Sequence, residues 1–240
     1  DDCGIINGNN ESMDDCGVCD GDNSTCLDEC GVPNGDNSTC LDECGVPNGD
    51  NSTCTDDCGI INGNNESMDQ CGNCDGQELI YVMLWGECYN IEQTESLYFS
   101  GNDEIYGEIP PEIGYLSNLT SLTFYGCNIS GQIPNEIGNL TNLEYLRFYS
   151  GQLSGEIPSV IGNLTNLTYL DLFNNNLTGN IPSSIGNLTN LEYLVLSGNQ
   201  LTGVIPPEIG NLINLTSLDL RVNQLTGVIP PEIGNLTNLT

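Results

Sequence analysis

From residue 94 onward the apolar positions return with a 24-residue period. The units run 94–118 (one residue longer), 119–142, 143–166, 167–190, 191–214 and 215–238, and they share the form LxxLxLxxNxLxGxIPxxIGNLTN. Within each unit the LxL triplet alternates with period two, which predicts a short strand with its leucines pointing inward and the residues between and beside them pointing out. The asparagine that follows turns the chain and is expected to bond neighbouring backbones in a ladder, while Gly and then Ile-Pro carry the return path. Along that ladder the chain supplies Asn102, Cys127, Gly151, Asn175, Asn199 and Asn223. Cysteine is an accepted substitute there, so Cys127 is expected to be a buried free thiol and Gly151 a local weak point.

Before residue 78 this pattern is absent. Cys3, Cys16, Cys30, Cys44, Cys58 and Cys71 are spaced 13, 14, 14, 14 and 13 apart, each after an acidic pair or Asp-Gln and each before glycine. These units carry at most two large apolar residues apiece, too few to bury a useful core. Disulfides, turns or bound ions have to hold them. The expected organisation is a cysteine-rich tandem stalk over 1–77, an N-terminal cap over 78–93 and six repeats over 94–240, unfinished at the C-terminus.

Composition then excludes several function classes. The chain has 34 acidic residues, two arginines, no lysine and no histidine, for a net charge of −32. Nucleic acid and anionic membranes need clustered cations and are excluded as partners. Lack of histidine and lysine removes the ordinary bases and Schiff-base chemistry, so no catalytic residue is expected and the protein is read as no enzyme. No window approaches the ~20 apolar residues of a membrane span. Thirteen cysteines, eleven of them before residue 75, point to an oxidising, extracellular setting. The chain opens on Asp1-Asp2-Cys3 without a signal peptide, as expected of a mature or trimmed segment of something secreted.

Residues 94–240 resemble the plant-type leucine-rich repeat at almost every consensus position. The resemblance implies a right-handed solenoid with short parallel strands on its concave face, of the kind found in receptor ectodomains, inhibitors and adhesins. Trp85-Gly86-Glu87-Cys88 is similar to that family's N-terminal cap, which covers the first repeat with a tryptophan and a disulfide. More weakly, Cys16-Gly-Val-Cys19-Asp-Gly-Asp-Asn-Ser-Thr-Cys26 resembles the CGVCGGDNSTC-like segment of secreted metalloproteases with thrombospondin motifs, and thrombospondin type 3 repeats.

Four sets of residues carry candidate chemistry. Blocks 1–19 and 56–74 are nearly identical and should pair alike, giving Cys3–Cys19 and Cys58–Cys74. The middle units then close as Cys16–Cys26, Cys30–Cys40 and Cys44–Cys54, leaving Cys71 for Cys88; sequence alone does not fix this set. Asp20/Asp22, Asn34/Asp36 and Asn48/Asp50 alternate around glycine, a spacing that suits calcium and equally suits plain turns, with Asp20, Asp22, Asp36 and Asp50 as the candidate ligands. Beyond calcium, no cofactor is required.

Sequons stand at Asn10, Asn23, Asn37, Asn51, Asn65, Asn118, Asn128, Asn139, Asn163, Asn166, Asn176, Asn187, Asn214, Asn235 and Asn238. Where STC becomes ESM the sequon survives at Asn10 and Asn65, which favours covalent N-glycans over mere consensus. Finally, outward strand positions place Tyr145, Tyr169 and Tyr193 in one column and Tyr125, Tyr149 and Phe173 in another, with Arg147 and Asp171 between them. Such columns suit sugars or peptides, or else stack on one another to stabilise the strands.

The chain stops two residues into a seventh repeat, so Ile209, Leu212, Ile233 and Leu236 are expected to border an exposed apolar end. That end suggests self-association head to tail, or continuation into further repeats. The leading expectation is therefore a structural or adhesive surface glycoprotein, such as a filament subunit. The alternative is a recognition module binding carbohydrate or peptide on the aromatic concave face.

Overall fold

The computed structural model describes residues 69–74, 79–101 and 105–240. The chain divides into two compact units, Asp1–Asp69 with Cys74–Gly76, and Gln70–Asn73 with Gln77–Thr240. The second unit is a solenoid.

It begins with an antiparallel hairpin, β1 (Tyr81–Leu84) and β2 (Glu87–Asn90). Both loop residues take positive φ, Trp85 at 49° and Gly86 at 86°, as a two-residue hairpin turn demands. Tryptophan is a costly residue in that conformation, and its contacts offset the cost. The indole packs edge-on against Phe99 and Phe124 at 5.4 and 5.3 Å, and its Nε1–H donates to the Glu108 carbonyl at 3.1 Å. Asn73 ties the preceding segment to this hairpin, donating to the Tyr81 carbonyl and accepting from the Ile80 and Tyr81 amides. Cys71 and Cys88 form a disulfide, with Cα atoms 5.5 Å apart.

The repeats build two parallel sheets. Their strands in chain order are β3 (Ser96–Ser100), β4 (Tyr106–Glu108), β5 (Ser121–Tyr125), β6 (Asn128–Gly131), β7 (Tyr145–Tyr149), β8 (Gln152–Glu156), β9 (Tyr169–Asp171), β10 (Asn176–Thr178), β11 (Tyr193–Val195) and β12 (Ser217–Asp219). The LxL triplets form the six-stranded concave sheet, ordered β12-β11-β9-β7-β5-β3. Its register repeats every 24 residues, as in Tyr145↔Tyr169↔Tyr193, and every 25 across the longer first unit, as in Ser96↔Ser121. Leu122, Leu146, Leu170 and Leu194 are fully buried beneath it.

A second sheet, β10-β8-β6-β4, lies in what sequence alone reads as a bare return path. Here partners are 22 residues apart: Tyr106↔Asn128, Ser130↔Gln152 and Asn176↔Ser154. The same spacing continues in the single bridges Asn180↔Thr202 and Val204↔Thr226. Against the 24-residue repeat, each strand therefore slides two residues, roughly 6.6 Å, past its neighbour. The concave sheet has no such slide. Coupling a sheared sheet to an unsheared one within one repeat is a physical source of superhelical twist. The slide also explains the glycine of the LxGxIP stretch. At Gly155 (φ 75°), a Cβ would sit 2.8 Å from the Gln132 side chain of the preceding repeat, so this rung needs both the left-handed backbone and the missing side chain.

The IPxxIGNL stretch forms a 3-10 turn in every repeat, from Pro111–Tyr115 to Pro231–Asn235. Proline supplies the extended N-cap conformation, and the leucine amide after the turn donates back to the isoleucine carbonyl, as Leu164 does to Ile161. This buries the isoleucine and leucine of each central repeat: Ile137 with Leu140, Ile161 with Leu164, Ile185 with Leu188 and Ile209 with Leu212.

The apolar end differs from expectation in its membership. Ile209 and Leu212 are fully buried, because the sixth repeat covers them; Leu236 is 5% exposed and Ile233 half-buried. Val228 and Ile229, at 82% and 74%, are the open apolar residues there.

Candidate functional site

Two hydrogen-bonded ladders fix the surfaces on either side of the leucines. Asn175 donates Nδ2 to the Phe148 carbonyl at 2.7 Å and accepts from the Leu153 amide at 3.1 Å. Asn199 repeats this with the Leu172 carbonyl and the Leu177 amide, and Asn223 with the Leu196 carbonyl and the Leu201 amide. Cys127 is a buried free thiol whose sulfur lies 3.8 Å from the Tyr125 carbonyl. Asn102 lies outside the described residues. Asparagines of the NLTN turn form a second ladder that sequence reasoning missed. Asn118, Asn142, Asn166, Asn190, Asn214 and Asn238 each donate Nδ2 to a carbonyl of the preceding turn at 2.8 to 2.9 Å.

This second ladder bears on the sequons. All ten sequon asparagines from Asn118 onward have exposed side chains. Four of them, Asn118, Asn166, Asn214 and Asn238, are engaged in the ladder. Asn10, Asn23, Asn37, Asn51 and Asn65, the calcium candidates Asp20, Asp22, Asp36 and Asp50, and the cysteines before Cys71 lie outside the described residues. Cys74 is disulfide-bonded, and Cys58, expected to be its partner, is also outside them. Among the described residues no group of three or more acidic or cysteine side chains is placed to hold a metal ion.

The concave sheet presents three columns of side chains. The first runs Ser121, Tyr145, Tyr169, Tyr193, Ser217; the middle runs Tyr98, Thr123, Arg147, Asp171, Val195, Asp219. Tyr125 and Tyr149 pair directly in the third, which continues to Phe173. The rings do stack laterally. Tyr125 and Tyr149 are parallel within 8° at 4.9 Å, Tyr149 and Phe173 lie 5.0 Å apart, and Tyr169 and Tyr193 lie 5.1 Å apart. The other side of the Tyr169 ring carries the Arg147 guanidinium, 5.1 Å from its centroid. Ring faces inside these stacks are thus taken by neighbours. Tyr98, 64% exposed, belongs to the same surface; its outward place beside Leu97 carries the signal that would have found it.

Both cations of the chain sit on this face, in different states. Arg221 pairs with Asp219 through two contacts at 2.8 and 2.9 Å, and Ser197 also donates to Asp219. These donors hold the Asp219 carboxyl well below the ordinary carboxylate range. Arg147 has no such partner. Its Nε is buried without a hydrogen bond, and the nearest carboxylate, Asp171, is 3.9 Å away. Asp171 is 4% exposed, and burial pushes its carboxyl up, against the lowering effects of the Phe173 amide and Arg147. The centre of the face is therefore a half-exposed guanidinium that lies over the Tyr169 ring and lacks a hydrogen-bonded carboxylate, on a chain of net charge −32.

Comparison with known proteins agrees with this architecture. The chain matches the leucine-rich-repeat models, "Leucine Rich repeats (2 copies)" over residues 165–206 and "Leucine Rich Repeat" over 118–140 and 214–236. It belongs to the leucine-rich-repeat family. The ectodomain of the receptor kinase SOBIR1 from Arabidopsis thaliana is 32% identical, with 59% of this chain and 78% of that one covered and a TM-score of 0.52. The ectodomain of the plant receptor kinase GASSHO1/SCHENGEN3 from Arabidopsis thaliana, solved in complex with CASPARIAN STRIP INTEGRITY FACTOR 2, is 39% identical over 61% of this chain, with a TM-score of 0.60. A plant ice-binding protein is 34% identical, covering 69% of this chain and 51% of that one, with a TM-score of 0.54. The chain spans 17% of the GASSHO1 ectodomain's length and 28% and 26% of two further receptors'. No curated protein matches the chain. No helix among the described residues is long and apolar enough to cross a membrane.

Proposed function

We infer that the solenoid is an extracellular recognition module that binds an extended peptide segment across its concave sheet. The observation that carries this reading is the Arg147 guanidinium, its side chain 40% exposed between the two aromatic columns, over the Tyr169 ring and with no hydrogen-bonded carboxylate. A peptide offers backbone carbonyls and carboxylates, the acceptors that a guanidinium and phenol hydroxyls seek. A sugar stacks on open ring faces, and the lateral stacks at 4.9 to 5.1 Å take up faces of Tyr125, Tyr149, Phe173, Tyr169 and Tyr193. Support also comes from similar proteins: several are plant receptors solved in complex with a peptide hormone or protein ligand. The filament reading has no counterpart among them. N-glycans on the exposed sequons and calcium in the N-terminal array stay compatible with this role and are not needed for it.

Panning a linear-peptide display library against the full chain, beside a glycan array, tests the reading. Enriched peptides should lose at least about tenfold in affinity with Arg147→Met or Tyr149→Ala, the loss expected at a hot spot. Glycan binding without peptide enrichment would overturn it.

A further inference from the structure

A groove runs along the solenoid where the second sheet meets the prolines of the 3-10 turns. It spans four successive repeats, with a volume of about 1240 Å³. Its floor is Ile133 and Ile157, both buried, with Pro134 and Pro158 beside them, and its exposed walls carry the carboxylates of Glu108, Glu136 and Glu156. No basic residue lines it. Both arginines of the chain lie on the concave sheet, at Arg147 and Arg221, so these carboxylates have no cation of their own.

The sheared register sets the side chains of the walls across the glycines of the next repeat. Glu108 lies across Gly131 and Glu156 across Gly179, each stem filling the space where a Cβ would come within 2.7 Å. Both glutamates lie along the groove wall from Cγ to Oε1, each over the glycine of the next repeat. We propose that this groove is a second binding site, distinct in chemistry from the concave face, and that its occupant is an extended Lys/Arg-bearing segment of a partner protein. Charge complementarity selects a cationic occupant. The isoleucine and proline floor selects side chains with apolar stems beneath their charge, as lysine and arginine have. Three rungs of ~4.8 Å are covered by roughly four or five extended residues at ~3.3 Å each.

The test titrates the full chain with acetylated tetra-arginine amide in 0.15 M salt, with spermine and tetra-glutamate in parallel. Tetra-arginine should bind one-to-one and shift the backbone amides of Gln132, Gly155 and Gly179 in NMR spectra. The double change Glu108→Gln/Glu156→Gln should weaken it at least tenfold, while Glu208→Gln/Glu232→Gln, of equal charge change on later repeats, should weaken it less than twofold. Equal weakening by both pairs, or amide shifts confined to residues 1–68, would reduce the binding to bulk attraction for a chain of charge −32 and overturn the site. Spermine binding as tightly as tetra-arginine would overturn the peptide as occupant.

Discussion

The first three repeats and the last three solve one problem with different materials. In the last three, Asn175, Asn199 and Asn223 satisfy the backbone where the chain leaves the concave strand, and the inner core residue is Leu172, Leu196 or Leu220. In the second and third, the ladder positions are Cys127 and Gly151, neither with an amide to give. There the inner residue is aromatic. Phe99, Phe124 and Phe148 stack at 5.3 and 5.1 Å, and Trp85 of the cap abuts the first two. The concave strands lengthen too, to five residues in β3, β5 and β7 against three in β9, β11 and β12. Backbone pairing just past the strands is shared by both halves: the Gly126 and Ser150 amides donate to the Tyr149 and Phe173 carbonyls, as those of Asn174 and Gly198 do to Ser197 and Arg221. A ladder of side-chain amides and an aromatic spine with longer strands are thus interchangeable ways to finish the turn.

The most damaging change should be Asn199→Ala. It strands the buried Leu177 amide and leaves the Leu172 carbonyl only the longer bond from Asn175 Nδ2 at 3.2 Å, and should lower unfolding free energy in urea by about 2 kcal/mol. Cys127→Ala at the equivalent position should cost about 1 kcal/mol or less, since the sulfur lies 3.8 Å from its nearest acceptor. Equal costs would mean that the two halves do not differ in this respect. Phe124→Leu should cost about 1.5 kcal/mol, because the spine loses ring contacts on both sides.

Two smaller tests concern the turn itself. Gly151 reads as a weak point in the sequence, and filling it should stabilise by ordinary reckoning. The structure reverses the sign: a Cβ there would stand 2.8 Å from Asn175 Oδ1, which is held by the Leu153 amide. Gly151→Ala should therefore cost about 1 kcal/mol, read as a lower melting temperature. The residue just before the ladder takes positive φ in every described repeat from the second onward: Gly126, Ser150, Asn174, Gly198 and Val222. Valine is the poorest choice for φ 53°, and it is 80% exposed with little packing to lose. Val222→Asn should gain about 0.5 kcal/mol.

The period, the LxL strands and the buried isoleucines and leucines were legible because each repeat states them again with little change. The second sheet was not. Its strands carry at most one buried side chain each, such as Leu153 or Leu177, and its pairing is offset 22 residues in a 24-residue repeat, so aligning repeats hides it. Columns of the concave face were legible from alternation alone, and so was the identity of Arg147 and Asp171 between the rings. That the rings consume one another's faces, and that Arg147 Nε has no acceptor, depends on distances no pattern encodes. Four of the NLTN ladder asparagines, Asn118, Asn166, Asn214 and Asn238, were read as glycan acceptors, and as a ladder all six were invisible, because the bond joins residues 25 or 26 apart.

The middle concave column allows a last comparison, between two aspartates that answer pH with opposite signs. Asp171 is raised above its unfolded value of about 3.9, chiefly by burial. Between the unfolded and folded values the native state holds more protons, so Asp171 subtracts stability as pH rises through that window. Asp219 is lowered, chiefly by its hydrogen bonds from Arg221. Its contribution is present above about pH 4 and is lost as pH falls towards the folded value. Asp171→Asn keeps the Phe173 amide bond, should raise stability at pH 7, and should flatten the decline on the alkaline side of pH 4. Asp219→Asn should lower stability at pH 7 and flatten the acid limb. The effects are small because Arg221 is open to solvent and screens readily. Urea melts of both variants from pH 3 to 7 would show it. Slopes of the same sign in both would mean that the Arg147–Asp171 contact at 3.9 Å outweighs burial, leaving Arg147 committed to the protein and unavailable to a ligand.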